Sequence, residues 1–273
     1  MKKLHLSLIT AIFTLLISSC STANYFQICE TYSPNTPLQG DRYVYEDDNC
    51  TVAYNFWAEN GDAGFVFTNK TDKTICIDLT KSFFVRNNMS HDYFLNRTWH
   101  TNANIKAETT SQGISMAINT GETISKKEKS IIFIPANTSK YINEYKIMTA
   151  PYRSCDLVRT TSGEKQPVYD GFGKVIRYEY INGLASLMSK EFNKENSPVN
   201  FYNIICYTLE GSNENFTVKN EFYIQKITNK SENEELKDSQ TGCNNQKEKT
   251  KIMIDQSPNK FYIKYIVKNQ NKY

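Results

Sequence analysis

At 273 residues the chain is long enough for one large hydrophobic core or two smaller ones. Its formal net charge of +3 implies no strong electrostatic pull toward nucleic acid. With 18 Tyr and 15 Phe among abundant Thr, Ile and Asn, and few helical periodicities, the composition is that of a β protein.

Residues 1–19 have the layout of an export signal. Lys2 and Lys3 supply a positive start, and Leu6 to Ile17 is an apolar run of about a dozen residues, against the ~20 that a bilayer span takes. Ile17-Ser18-Ser19-Cys20 resembles the lipobox of bacterial lipoproteins. That resemblance implies cleavage before Cys20, diacylation of Cys20 and acylation of the new N-terminus. Several acyl chains anchor a protein far more firmly than one. The expected location is the cell membrane or outer membrane, lipid-anchored and facing the periplasm or the cell surface.

Residues 20–40 read as a tether with Pro34 and Pro37 and no period, some of which can dock as an edge. A first β-sandwich portion is expected over 41–150. Tyr43 to Tyr45 and Thr51 to Trp57 read as strands, Val52, Tyr54, Phe56 and Ala58 share a face, and Asn60-Gly61-Asp62 turns. The stretch Gly64 to Trp99 organises the portion. Phe65 and Phe67 alternate with Val66 and Thr68, and Ile75, Ile77 and Leu79 alternate with Cys76 and Asp78, so each set lies on one strand face. Between them, Asn69-Lys70-Thr71-Asp72-Lys73 is a turn whose side chains bond nearby backbone. It either closes a wide hairpin or crosses between sheets. Ser82 to Val85 restarts an apolar run that Asn87-Asn88 stops.

Asn102 to Lys129 is polar and reads as a long loop with one weak strand over Gly113 to Ile118, ending in a solvated charge run from Glu122. Ser130 to Ile134 is an apolar strand stopped by Pro135, with a turn at Ala136 to Ser139. Lys140 to Ile147 follows as a strand with Tyr141, Asn143, Tyr145 and Ile147 on one face. Residues 151–196 form a connecting segment in which Leu184, Leu187, Met188 and Phe192 fall at helical spacing. A second β portion, 197–273, contains strands over Phe201–Leu209 and Asn215–Ile227 and a charged, apolar-poor loop over Asn229–Lys251. Its last strand, Lys260–Lys268, has Phe261, Ile263, Tyr265 and Val267 on one side. Phe67-Thr68-Asn69-Lys70-Thr71 is echoed by Ile227-Thr228-Asn229-Lys230-Ser231, a pattern that either two tandem halves or a biased composition produces.

The lipobox, Tyr54-Asn55-Phe56-Trp57, the Asn69 to Lys73 turn with Ile77-Asp78-Leu79 and Ser82-Phe83-Phe84, Asp92-Tyr93-Phe94 with Asn96-Arg97-Thr98, and Ser197-Pro198 before Phe201 together resemble a lipoprotein family of Bacteroidetes-type bacteria. The resemblance covers most of the exported chain and carries no assigned activity. It implies an all-β, immunoglobulin-like β-sandwich, as one body or two tandem halves, with at most one or two short helices.

Beyond Cys20 stand Cys29, Cys50, Cys76, Cys155, Cys206 and Cys243. Six thiols in an oxidising compartment allow 15 pairings. Cys29 to Cys50 is the easiest closure, while Cys76 and Cys206 lie in strand-like runs and suit buried free thiols. No cysteine spacing fits a zinc site, and no cofactor is expected. His91 and His100 are the histidines of the exported chain; a metal site or a catalytic base is weighed there against two exposed loop histidines. No H-E-x-x-H, G-x-S-x-G, phosphate loop or EF-hand spacing occurs. Asn-x-Ser/Thr at Asn69, Asn88, Asn96, Asn137 and Asn229 reads as turn composition.

Trp57, Trp99 and Tyr93 flank loops and are the candidate recognition aromatics, able to stack on sugar rings or anchor a protein, unless they simply fill the core. The expectation is therefore a non-catalytic envelope lipoprotein that binds or scaffolds a glycan or protein partner. A fimbrillin-like adhesive or structural subunit and a glycan or peptide hydrolase are the alternatives. Replacing Cys20 with Ser is expected to move the protein from the membrane fraction to the soluble fraction and to remove acyl mass. Membrane partition of the variant, together with an acyl-free wild type by intact mass, would refute the anchor.

Overall fold

The computed structural model describes residues 22–111, 114–157, 165–180, 188–241 and 248–268. In chain order the first strands are β1 (Thr22–Tyr32), β2 (Leu38–Gln39), β3 (Arg42–Glu46), β4 (Cys50–Tyr54), β5 (Phe65–Asn69) and β6 (Ile75–Asp78). A 3-10 turn over Leu79–Lys81 precedes β7 (Phe83–Arg86), β8 (Met89–Asp92), β9 (Thr98–Ser111), β10 (Ile114–Lys127), β11 (Ile131–Ile134) and β12 (Ser139–Ile142). Then come β13 (Lys165–Tyr169), β14 (Val175–Tyr180), β15 (Ser189–Glu191), β16 (Asn200–Leu209) and β17 (Phe216–Ser231). The short helix α1 (Glu232–Glu235) leads to β18 (Leu236–Thr241), β19 (Glu248–Met253) and β20 (Lys260–Lys268).

The fold is an all-β sandwich. One sheet runs β11-β6-β16-β17-β1-β20, with β7 also beside β16, β8 beside β7 and β15 beside β17; the other runs β12-β5-β4-β3-β2. The ladders between these strands are antiparallel. β6 and β7, from the expected first portion, pair with β16 of the expected second, so one sheet runs through both.

Period-two alternation explains which residues meet. Val52, Tyr54, Phe56, Phe65 and Phe67 turn inward from the smaller sheet onto Ile75, Ile77, Phe201, Ile205, Tyr207 and Phe222 of the larger, all buried. Phe56 sits edge-on to Phe222 at 4.9 Å, and Phe67 edge-on to Tyr207 at 5.5 Å, arrangements that the ring quadrupoles favour. β20 follows the expected phase, with Phe261, Ile263 and Tyr265 buried.

The turn after β5 crosses between the sheets, because β5 lies in one and β6 in the other. Asn69 makes that crossing. Its buried amide donates to the carbonyls of Lys73 (2.7 Å), Ile134 (3.0 Å) and Pro135 (3.1 Å), and its Oδ1 accepts the Thr71 N–H at 2.8 Å. Further along, the ladder breaks at the 3-10 turn, and Ser82 Oγ accepts the Cys206 N–H at 3.0 Å in place of a backbone partner. Asn87 and Asn88 both have positive φ (47° and 63°), as a two-residue hairpin joining β7 to β8 requires. Asn96 and Asn137 also adopt positive φ, whereas Asn69 and Asn229 are buried at strand ends.

Several expectations are corrected. Thr22–Tyr32 is no tether; it is an interior strand between β17 and β20. Tyr25, Phe26, Ile28 and Cys29 are all buried there, and Gln27 is satisfied at 2.9 Å by the side chain of Asn229. Of the expected loop Asn102–Lys129, residues 102–111 and 114–127 are strand, in the fourteen-pair hairpin of β9 with β10, while Gly113 of the expected weak strand lies outside the described residues. Beyond Ile142 the chain leaves the sheet. The Ile142 carbonyl and Asn143 lie so close to Gly64 that a Cβ there would meet both at 2.9 Å. Ile142 and Ile147 are buried while Tyr141 is 54% exposed, so the expected common face does not form. Residues 184–187 of the expected helix lie outside the described residues, and Ser189–Glu191 is a strand on β17. Asn229–Lys251 is structured where described. Glu234 boxes Ser231 at the start of α1, and the buried Glu235 accepts Lys230 Nζ at 3.0 Å, so charged residues are paired within the fold.

Cys29, Cys50, Cys76, Cys155 and Cys206 are free thiols, and Cys243 lies outside the described residues. The expected Cys29–Cys50 closure is not formed, and the two thiols sit among different neighbours. Cys29 is opposite Phe261 in β20, and Cys50 is opposite Asn69 in β5, where its thiol approaches Tyr207. Burial pushes the Cys50 thiol up to about 12 and that of Cys29 higher still.

Replacing Ile77 with Ala in this fully buried site is expected to cost ~2–5 kcal/mol, and replacing the exposed Asp72 with Ala under ~1 kcal/mol. Denaturant unfolding of both variants checks the order; the reverse would misplace the strand phase.

Candidate binding groove at the open edge of the sandwich

β11 and β12 are consecutive, joined by Pro135 to Thr138, and each is the edge strand of its sheet. Between them, against the base of the β9–β10 hairpin, opens a groove of about 530 Å³. Trp99 comes from β9, Ile131 to Phe133 from β11, and Lys140 to Glu144 from β12 and the chain after it.

Arg97 organises the floor. Its guanidinium donates two bonds to Glu144, at 2.7 and 2.8 Å, and one to Glu128, at 2.7 Å, and lies 5.3 Å from the centre of the Trp99 ring. The other Glu128 oxygen accepts the N–H groups of Leu95 (3.1 Å) and Arg97 (3.0 Å). Two carboxylates thus hold Arg97 further above its ordinary value. Burial alone would raise the Glu128 carboxyl, but its bonds to Arg97 and to the backbone outweigh that and hold it below the ordinary 4.5. Lys126, Lys127, Lys129 and Lys140 line the rim and have no ion-pair partner among the described residues. Five cationic side chains therefore face two carboxylates, both engaged by Arg97.

The three candidate aromatics do not converge. Trp99 lines the groove and is 45% exposed. Tyr93 is its buried underside. Its hydroxyl donates to Asn203 Oδ1 at 2.7 Å, and its ring stands edge-on to Phe65 at 5.8 Å, so packing is its observed role. Trp57 lies in a neighbouring hollow of about 300 Å³ with Asn55, Asp62 and Gln256, its ring 5.4 Å from that of Tyr262. Tyr141 lines both cavities, pinned through its hydroxyl on Asp62. Desolvation and the Asp62 charge push it up to about 12, so it stays a protonated donor. Cys20 lies outside the described residues.

Phe133, Tyr141, Arg97 and the four lysines escaped the sequence reading. An all-apolar strand before a proline reads as buried, and a lysine run reads as solvated. Only the position of β11 at an edge exposes Ile131 and Phe133. His91 stacks on Phe84 at 6.0 Å, and His100 Nδ1 lies 3.3 Å from Ser125 Oγ; neither lines the groove. Among the described residues, no three His, Cys, Asp or Glu side chains gather as metal ligands, and no helix is long and apolar enough to cross a membrane. No protein-family model, curated protein or solved structure matches the chain.

A carboxyl with a lowered pKa adds stability that is complete above its unfolded value and is lost as pH falls through its folded value. The base of the hairpin is therefore expected to stay packed at pH 5 and to loosen below 4.5. In a Trp57→Phe background, Trp99 emission reports this step directly. Adding Glu128→Gln should shrink it, and an unchanged acid transition would contradict the Glu128 assignment.

Proposed function

We propose that this chain is a non-catalytic, lipid-anchored protein of the cell envelope that binds a partner in the groove between β11 and β12. What carries the proposal is the groove's composition: exposed Trp99, Phe133 and Tyr141 set among four lysines without described ion-pair partners, with both carboxylates already engaged. Exposed aromatic rings among donors bind by stacking and desolvation, and the excess of positive charge favours an anionic partner. General acid–base work asks for a titratable group free to exchange its proton near the operating pH. Here the Glu128 carboxylate is locked onto Arg97 and held below its ordinary value. The export signal and the lipobox at Cys20 support the envelope location.

The test uses residues 20–273, screened against acidic and neutral oligosaccharides and peptides for both binding and turnover. Binding of acidic members is expected to weaken as salt rises. Trp99→Ala should abolish it, and Trp57→Ala should leave it within about twofold, since surface changes away from a contact shift energies by under ~0.5 kcal/mol. Turnover by the wild type, lost on replacing His91 and His100 with Ala, would establish a hydrolase instead.

A further inference from the structure

We propose that β11 takes an extended, acidic polypeptide segment as an added strand, which names the class of partner and rests on the groove being a binding site. The backbone register carries this. The Leu79 N–H bonds the Ser130 carbonyl at 2.9 Å, and the ladder continues Ile131 opposite Asp78 to Ile134 opposite Ile75. Antiparallel bonding alternates, so Ser130, Ile132 and Ile134 bond toward β6 while the N–H and C=O groups of Ile131 and Phe133 point away from it. The neighbouring ladder agrees. Glu210 N–H bonds the Thr74 carbonyl at 2.8 Å, which assigns Cys76 to β16 and leaves Ile75 and Ile77 for β11. No described strand pairs with the outer side of β11.

The edges at β20, β2 and β12 carry protections that β11 lacks. Ala58 and Asn60 bond Tyr262 along β20, which also carries Lys264 on its exposed side. β2 is two residues long. β12 turns Lys140 toward the gap between the sheets, because it sits opposite the inward-facing Phe67. Short edges, covering loops and inward charges are the usual protections against strand addition. β11 is Ile-Ile-Phe-Ile, with Ile131 and Phe133 exposed at 39% and 60%.

A polypeptide added there extends the sheet by main-chain hydrogen bonds and reads alternate side chains through the groove. Its residues on one face would meet Ile132, Trp99 and Lys140, and those on the other would meet Phe133. Lys126, Lys127 and Lys129 lie at the approach to β11, so carboxylates in the segment are the complement. A second copy of this chain brings the same lysines and is repelled.

The probe is a fluorescein-labelled pool of nonapeptides, alternating Val, Thr, Leu or Phe and flanked by Glu pairs, titrated by anisotropy against residues 20–273. A matched pool carries Lys flanks, and a third has alternate backbone amides N-methylated with its side chains unchanged. Binding by the Glu pool, weakened at least about tenfold by N-methylation, is expected, since one net hydrogen bond of about 1.4 kcal/mol is tenfold. Phe133→Pro removes an outward donor that β6 does not use and should weaken binding likewise; Lys127→Glu with Lys129→Glu should reverse the preference to the Lys pool. Equal binding of the methylated pool overturns strand addition. So does failure of all three pools while an acidic oligosaccharide binds in a Trp99-dependent way, an outcome that leaves the binding function standing. Dimerisation blocked by Phe133→Pro would assign the edge to a second copy and overturn the acidic partner.

Discussion

The side chain of Asn69 ties together two places where the chain passes from one sheet to the other. It sits where the chain leaves β5 for the other sheet, and it also bonds the carbonyls at which β11 ends and turns toward β12. One buried amide therefore satisfies two crossings at the same end of the sandwich. Each of these carbonyls also has another partner: the Lys73 carbonyl accepts Thr71 Oγ1 at 3.0 Å, the Pro135 carbonyl accepts Thr138 Oγ1 at 2.8 Å, and Ile134 bonds toward β6. An aliphatic residue at this position would therefore leave those carbonyls partnered but would remove the link between the two edges that frame the groove.

A second polar layer sets the register across the middle. Asn203 and Asn220 face each other on β16 and β17, fully buried among aromatic rings. Tyr93 and Tyr54 donate to them at 2.7 and 2.8 Å, and their amides donate onward to the Ala63 carbonyl and Thr36 Oγ1, both at 3.1 Å. Burial raises both tyrosines well above their ordinary value, so they remain donors at any pH a cell presents. A slip of one residue would turn the apolar set outward, and alternation alone already forbids it. A slip of two residues keeps the pattern, and it is the asparagine pair that penalises this, by separating each amide from its tyrosine.

The groove follows from these constraints. Packed sheets stand about 10 Å apart, so β11 and β12 cannot pair with each other although a short turn joins them. Their edges stay open, and the Arg97 cluster fills the floor where apolar side chains run out. Two carboxylates on one guanidinium lock the base of the long hairpin and place Trp99 over the cation. The rim lysines have no ion-pair partner among the described residues.

Local pattern was enough for the strands whose two faces differ. Val52, Tyr54 and Phe56, Phe65 and Phe67, Ile75 and Ile77, and Phe261, Ile263 and Tyr265 show their burial in the sequence, because one face of each strand meets the core and the other does not. Asn87-Asn88 was legible as a stop because its side chains tolerate positive φ. The polar hairpin of β9 and β10 was not legible, since backbone pairing leaves no mark on hydrophobic period. Nor was β1, where a proline-flanked polar stretch conceals a strand held on both sides. The groove lay further out of reach. Sequence placed Trp99, Arg97, Phe133 and Tyr141 in four separate local settings. Which strands end at an edge, and which edges lie together, depends on sheet order, and sheet order is decided by contacts between residues far apart in the chain, such as Asn69 with Ile134 and Arg97 with Glu144.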